Sequence, residues 1–408
     1  MEIVELPENT STFTKQKKIT LLVIIVIAVL LLGIKAYHLY QQKLLLEETI
    51  ANLDWEIPLE KDFEFTDWRQ LKQNEEFQKY GLRVFSVYAE DKDEDNIFDK
   101  LYGVMNEQGE IIVPAIYWHL TLNWDMGYIL GENWDTYQAH YYSLDGKDFI
   151  AKTFKDASPF ENGYATVEDE AGYHIIEPSG NVKLRFDCDY LSAFDSNRGL
   201  YEFEDKYDNG IIGGKWGIVD INGRVLLDAH YDMIHKADED KILVTYETKS
   251  IIQESQYFDY DFNLVFQESF DEAKPFTDGL APVKRIDDTW GLMNEKGEVV
   301  QKISCSDFYS YSEGLAIVGR GNYLCGINKK GETVFKEPYE EGGNITGLTK
   351  GFQEGLLLFR GKNGKYGYID RNGDVVISPV FDDADPFEDG KTFVEVNGQG
   401  GVITRNGI

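Results

Sequence analysis

Residues 364–396 read GKYGYIDRNGDVVISPVFDDADPFEDGKTFVEV, and two readings compete for the centre, Asp370-Arg371-Asn372-Gly373-Asp374. One is the opening of a D-x-[DN]-x-[DN]-G calcium loop; the other is the turn of a β-hairpin. A calcium loop of that kind needs a bidentate glutamate at its twelfth position. Counted from Asp370 that residue is Phe381, and from Asp220, which opens the similar Asp220-Ile221-Asn222-Gly223, it is Tyr231. Equivalent stretches read NEQG and NEKG, where the metal logic fails. The hairpin reading stands: Asn or Asp first and Gly fourth suit a type I turn. Glycine with positive φ then closes the loop through a G1 bulge.

The same unit recurs along the chain. An aromatic, often a glycine, two apolar residues and a turn ending in Gly appear as YGVMNEQG (102–109), WGIVDING (216–223), WGLMNEKG (290–297) and YGYIDRNG (366–373). Weaker copies are AHYYSLDG (139–146), YHIIEPSG (173–180), LCGINKKG (324–331), GGVITRNG (400–407) and QYFDYDFN (256–263), where Asn263 stands for glycine. A second signature, an aromatic, two or three residues, Gly and an alternating strand, is interleaved with the first. It reads PFENGYATV (159–167), PFTDGLAPV (275–283), YSEGLAIV (311–318), FQEGLLLF (352–359) and PFEDGKTFV (386–394), with looser copies around Gly81, Gly127, Gly199 and Lys241. The turns end at 109, 146, 180, 223, 263, 297, 331, 373 and 407, at intervals of 34 to 43 residues, four of them 34. Spacing held over this length marks a repeat architecture. Each unit supplies three or four short strands and completes its core against its neighbours.

The expected fold is all-β, about nine short units in a propeller-like closed ring, with an open β-solenoid as the alternative. Each complete copy follows its turn with a strand that often ends in proline, EIIVP (110–114) or DVVISP (374–379). The final copy stops at Ile408, whereas Trp55-Glu56-Ile57-Pro58 is a post-turn strand with no turn before it. Pairing of this strand into the last unit would close the ring and hide two sheet edges.

The run G-K-[WY]-G-h-h-[DN]-x-x-G, a short strand, then F-x-[DE]-G-L-A-x-V resembles the WG-repeat (KWG-repeat) family of bacterial proteins. Lys215-Trp216-Gly217 carries the name motif intact and Lys365-Tyr366-Gly367 nearly so. The resemblance extends over roughly residues 75–408. It implies a β-repeat interaction domain and brings no catalytic residues to transfer.

The formal charge is −32; Lys15, Lys17, Lys18, Lys35 and Lys43 cancel Glu2, Glu5, Glu8, Glu47 and Glu48, so the excess lies beyond residue 50. Such a field repels nucleic acid and anionic headgroups and suits cationic partners. Ile19–Ile34, ITLLVIIVIAVLLLGI, is uncharged between Lys18 and Lys35. With residues to Tyr40 it reaches the ~20-residue span of a transmembrane helix. A cleaved signal peptide is the competing reading, but Leu31 and Ile34 occupy the −3 position of its candidate sites. Three lysines before the span and two after it place the N-terminus in the cytoplasm and the C-terminal part outside. The expected organisation is a cytoplasmic tail (1–18), a transmembrane helix (19–40), a stalk (41–54) and the repeat domain (55–408).

Other chemistry is sparse. Cys188, Cys305 and Cys325 have no zinc or disulfide spacing. His38, His119, His140, His174, His230 and His235 form no metal motif, and His140 and His174 sit in degenerate aromatic-glycine slots, which points to structural roles. No nucleophile elbow, P-loop or dinucleotide fingerprint occurs. The denser acidic cluster Asp91, Asp93, Glu94, Asp95 and Asp99 reads as a solvated loop, with weak calcium binding as its alternative; Asn344-Ile345-Thr346 is a sequon. The recurring Trp and Tyr read as core residues. Insertions at 86–100, 204–214 and 245–256 share one connection and are the expected binding face, while 338–350 belongs to the other connection.

The expectation is therefore a single-pass protein of the bacterial cell membrane. Its non-catalytic external domain would bind a protein or another envelope macromolecule, without nucleic acid, metal or cofactor; oligomeric state is left open. An envelope enzyme that binds or hydrolyses glycan through an acidic pair is the rival, and a single-pass sensor the third reading.

Overall fold

The computed structural model describes residues 40–53, 55–60, 77–88, 100–133, 135–205, 214–247, 253–285, 289–338 and 350–405. Their strands form nine antiparallel sheets in chain order, a nine-bladed β-propeller with one sheet per repeat unit. The blades span, in order, residues 82–117, 119–154, 156–185, 190–231, 233–259, 272–303, 307–338, 356–381 and 383–404. The complete pattern is that of blade 3: a short first strand (Asp156–Ala157), then Ala165–Asp169, Gly172–Ile176 and Val182–Arg185. The proposed transmembrane segment lies outside the described residues except for Tyr40. Among the described residues no helix is long and apolar enough to cross a membrane. The stalk is helical over residues 40–52.

Closure follows the sequence expectation. Trp55–Glu60 pairs antiparallel with Gln399–Thr404 through Trp55↔Ile403, Ile57↔Val402 and Glu60↔Gly400, and so supplies the fourth strand of blade 9.

The quoted turn is the predicted hairpin. The Gly373 amide donates to the Asp370 carbonyl and the Asp370 amide to the Asp374 carbonyl, both at 3.0 Å, with Gly373 at φ 88°. Asp370 Oδ1 accepts from the amides of Asn372 and Asp374 at 2.9 Å each. Asp220 does the same for Asn222 and Arg224. One turn departs from expectation: Phe262, not Asn263, takes the left-handed position at φ 63°, because its amide closes onto the Asp259 carbonyl while the Asn263 carbonyl accepts from Asp259. The copy therefore begins at Ser255, one residue earlier than the pattern implied.

The second signature is also a turn with its own chemistry. Asp278-Gly279, Glu313-Gly314, Glu354-Gly355 and Asp389-Gly390 all carry positive φ at both residues, the mark of a two-residue type I′ hairpin loop. The acid reaches across to the next blade. Asp278 accepts from the Gly314 amide at 3.1 Å, Glu313 from Gly355 at 3.1 Å and Glu354 from Gly390 at 3.1 Å.

At Gly103, Gly217 and Gly367 the glycine of the aromatic-glycine pair answers a close backbone approach, whereas Trp290-Gly291 pairs in regular register with Ile303 and Lys302. In blade 8, Tyr366 pairs with Phe381 and Tyr368 with Ile377, so three residues, 378–380, bulge opposite Gly367 alone. A Cβ on Gly367 would lie 2.6 Å from the Ile377 oxygen and 2.7 Å from the Pro379 nitrogen. Gly103 and Gly217 meet the same three-against-one bulge. The prolines at 114 and 379 therefore do not end their strands, as the sequence implied; they sit in the bulge, where no ladder donor is needed, and the strands continue to Tyr117 and Phe381. Where histidine replaces glycine the bulge leaves that slot: His174 pairs directly with Arg185, and His140 pairs with Thr153 while residues 149–152 bulge opposite the next residue, Tyr141.

One residue beyond the bulged strand the chain turns into the next blade, as at Asp232 and Asp382. The lysine of the name motif holds that corner: Lys215 pairs with Asp232 and Lys365 with Asp382. Between blades the packing is apolar. Among the described residues eight clusters lie one at each junction of consecutive blades, as where Tyr128, Tyr141 and Phe154 of blade 2 meet Phe160 and Val167 of blade 3. Each such large side chain contributes roughly 1.5–3 kcal/mol when buried.

Gly367→Ala should lower unfolding stability by about 1–3 kcal/mol, since backbone rather than a movable side chain must yield; chemical denaturation measures it. A chain lacking residues 40–60 should lose hydrogen-exchange protection at Gly401–Ile403 before any other blade does.

Candidate interaction face

Second and fourth strands run in the same direction, so the second-to-third connections and the interblade corners open onto one face, opposite the tight turns. Insertions 86–100, 204–214 and 245–256 leave from this corner face, as expected. Insertion 338–350 does too, although its connection differs, because it follows the fourth strand of blade 7 (Thr333–Pro338). Most residues of these insertions lie outside the described residues, as do Asp91, Asp93, Glu94, Asp95, Asp99 and Asn344.

The fifth residue after each type I′ glycine, or its equivalent, is the last or last but one of the second strand at this face. In blades 2, 3, 4, 6, 7, 8 and 9 it is Glu132, Glu168, Glu204, Lys284, Gly319, Arg360 and Glu395. In blade 6 it completes an opposite-charge pair across the first two strands, Glu272↔Lys284. Blades 3 and 9 instead oppose like charges, Asp156↔Glu168 and Asp383↔Glu395. Directly opposed like charges destabilise a sheet. The scaffold accepts a cation at this position, while blades 2, 3, 4 and 9 carry an acid there and blades 3 and 9 set it against a second acid.

Aromatic rings frame the acids of blades 2 to 4. Tyr173 and Tyr190 stand edge to face with centroids 5.4 Å apart, and Tyr190 and Trp216 at 5.7 Å. The Tyr173 hydroxyl lies 3.5 Å from Asp156 Oδ2, and Ser192 donates to Glu202 at 2.8 Å. Burial, reinforced by the Asp156 charge, pushes the Glu132 carboxyl up to about 7. Burial raises Glu202 as well, against the Ser192 hydrogen bond, and raises the Tyr190 hydroxyl, helped by Asp156 and Glu202. In blade 9 burial raises Asp383, and burial with the Asp383 and Asp382 charges raises Glu395. Among the described residues no lysine or arginine forms an ion pair with Glu132, Glu168 or Glu202. Half-buried carboxylates beside exposed ring edges and faces can take up a cation through charge and cation–π attraction.

The sequence reading of Trp and Tyr as core residues holds for Trp290, at 4% exposure, and Tyr366, at 8%. Tyr173, Tyr190 and Trp216 are only partly buried and belong to the patch. The acids were missed because carboxylates are so common that no pair stood out; aligning the copies on their glycines and reading the fifth residue would have found them. His140 bonds Asp148 at 2.9 Å and Thr153 at 3.2 Å, a surface role. His174 is buried, with Nδ1 3.0 Å from the Gly172 carbonyl. Cys188 and Cys325 are buried, and burial holds the Cys305 thiol up near 12, which keeps it unreactive.

A repeat-built propeller with this strand chemistry is the class of protein that fold and face define. The family model for the WG containing repeat matches residues 102–117, 216–247, 257–289, 290–323 and 366–399. No curated protein matches the chain. Among solved structures, the computationally designed Ika8 protein is 10% identical, over 70% of this chain and 95% of its own, with a TM-score of 0.38. A eukaryotic initiation factor is 8% identical over 77% and 89%, TM-score 0.44. BamB from Moraxella catarrhalis is 8% identical over 70% and 96%, TM-score 0.38. Likeness at these scores carries no functional weight.

The raised Glu132 has a signed consequence. Its folded form keeps a proton that the unfolded chain releases near 4.5, so this residue's contribution falls as pH rises from about 4.5 to 7 and stays low above. Glu132→Gln should therefore stabilise the protein at pH 8, by on the order of 1–3 kcal/mol, and change little at pH 4; thermal melts across pH test this.

Proposed function

We propose that this chain is a membrane-anchored, extracytoplasmic interaction module. Its corner face takes up a cationic segment of a macromolecular partner at the cell envelope, and the role is binding rather than catalysis. The observation that carries this reading is the contrast between Glu272↔Lys284 and the like-charged Asp156↔Glu168 and Asp383↔Glu395. An uncompensated acid pair on a fold that accommodates the compensated one is a cost a bound cation removes. The repeat match and the apolar Ile19–Ile34 segment support the scaffold and anchor parts.

An arginine- and lysine-rich peptide should bind the purified domain, and binding should weaken steeply with salt. Glu132→Gln, Glu168→Gln and Glu202→Gln together should lower its affinity at least about tenfold. Affinity unchanged by the triple substitution would defeat the proposal. One observation favours a second reading: a carboxyl that holds its proton to about 7, as Glu132 does, has the property of a general acid. Turnover of cell-wall glycan that is lost in Glu132→Gln would replace binding with hydrolysis.

A further inference from the structure

The helix over residues 40–52 is seated on the propeller, and its direction is defined at both ends. Leu46, Ile50 and Leu53 pack on the apolar cluster that joins blades 8 and 9. Its first turns line a cleft with Asn363, Val380, Val396 and Asn397. Asn363 and Asn397 belong to second-to-third connections, and Val380 lies at the corner end of its strand. The helix therefore begins at the corner face. Its far end leads into Trp55, opposite Ile403 at the turn face, and the strand then climbs back to Glu60 opposite Gly400. Thirteen helical residues span roughly 20 Å, about the height of a blade.

The chain upstream thus leaves the propeller at the corner face, beside blades 8 and 9. Only residues 35–39 separate Tyr40 from the apolar Ile19–Ile34 segment, a tether of at most roughly 20 Å. We infer that the corner face is turned toward the bilayer, so that the cationic partner it fits is a membrane-proximal segment of another protein in the same membrane. This inference rests on the anchor reading proposed above.

Two labels on one blade decide the orientation. Ala171, in the second-to-third turn of blade 3, lies on the corner face; Ser179, in its third-to-fourth turn, lies on the turn face; both are exposed. Full-length chain carrying Ala171→Cys or Ser179→Cys, each with Cys305→Ser, receives a donor fluorophore in phosphatidylcholine vesicles with a headgroup acceptor. Transfer from position 171 should exceed that from 179 at least about twofold. Equal transfer, or the reverse order, overturns the orientation and leaves the anchor reading standing. Failure of the chain to float with the vesicles overturns both. In the same vesicles, an arginine-rich peptide anchored to lipid should bind, and the same peptide on a bulky globular carrier should not. Equal binding of the two would defeat the same-membrane partner.

Discussion

A single steric fact organises blades 1, 4 and 8: the backbone of the last strand passes so close to the one before it that only a glycine fits between aromatic and apolar neighbours. At Gly103, Gly217 and Gly367 that approach goes with a bulge of three residues against one. A bulge bends the strand and strengthens its twist, which brings its end round to the corner where the next blade begins. The lysine preceding the aromatic then fastens the corner carboxylate. The name motif is thus a device for turning from one blade into the next. Blade 3, with His174, shows that a regular pairing can also serve when the glycine is gone, while blade 2, with His140, keeps a bulge one residue further on, at Tyr141.

Much of this was legible in the sequence because it is local chemistry repeated at a fixed interval. Turn residues at 106–109, 220–223 and 370–373 state their own hydrogen bonding, and the unpaired strand at Trp55 stated where the last sheet would be completed. The misplacement at Phe262 has a physical origin: asparagine tolerates positive φ better than phenylalanine, but ladder register, not residue preference, chose the position. The proline was misread because a strand that bulges and continues looks, residue by residue, like a strand that stops. The acids of the type I′ turns could not be assigned, since Glu313 and Glu354 bond glycines that are 36 or more residues away and in another blade. The corner-face pairs required register between strands that only the folded sheet defines.

Charge divides the molecule's two faces by purpose. At the turn face, Asp220, Asp370, Asp278 and Glu354 accept backbone amides of their own loop or of the next blade. At the corner face the acid pairs Asp156↔Glu168 and Asp383↔Glu395 stand beside carboxylates that lysines do hold, Asp232 and Asp382. The net charge of −32 therefore does different work in different places.

The strand that completes the last blade is also the segment reached first by anything that pulls on the N-terminus. Tension along that path cannot act on Trp55 directly, because the helix is seated in between. Leu46, Ile50 and Leu53 must leave the groove between blades 8 and 9 before the pair Trp55↔Ile403 bears any load. Once it does, the geometry changes character: the strand would be drawn back over itself and unzipped pair by pair from the turn face. The helix is in this sense a mechanical fuse, and the propeller is as resistant to traction as three apolar side chains make it.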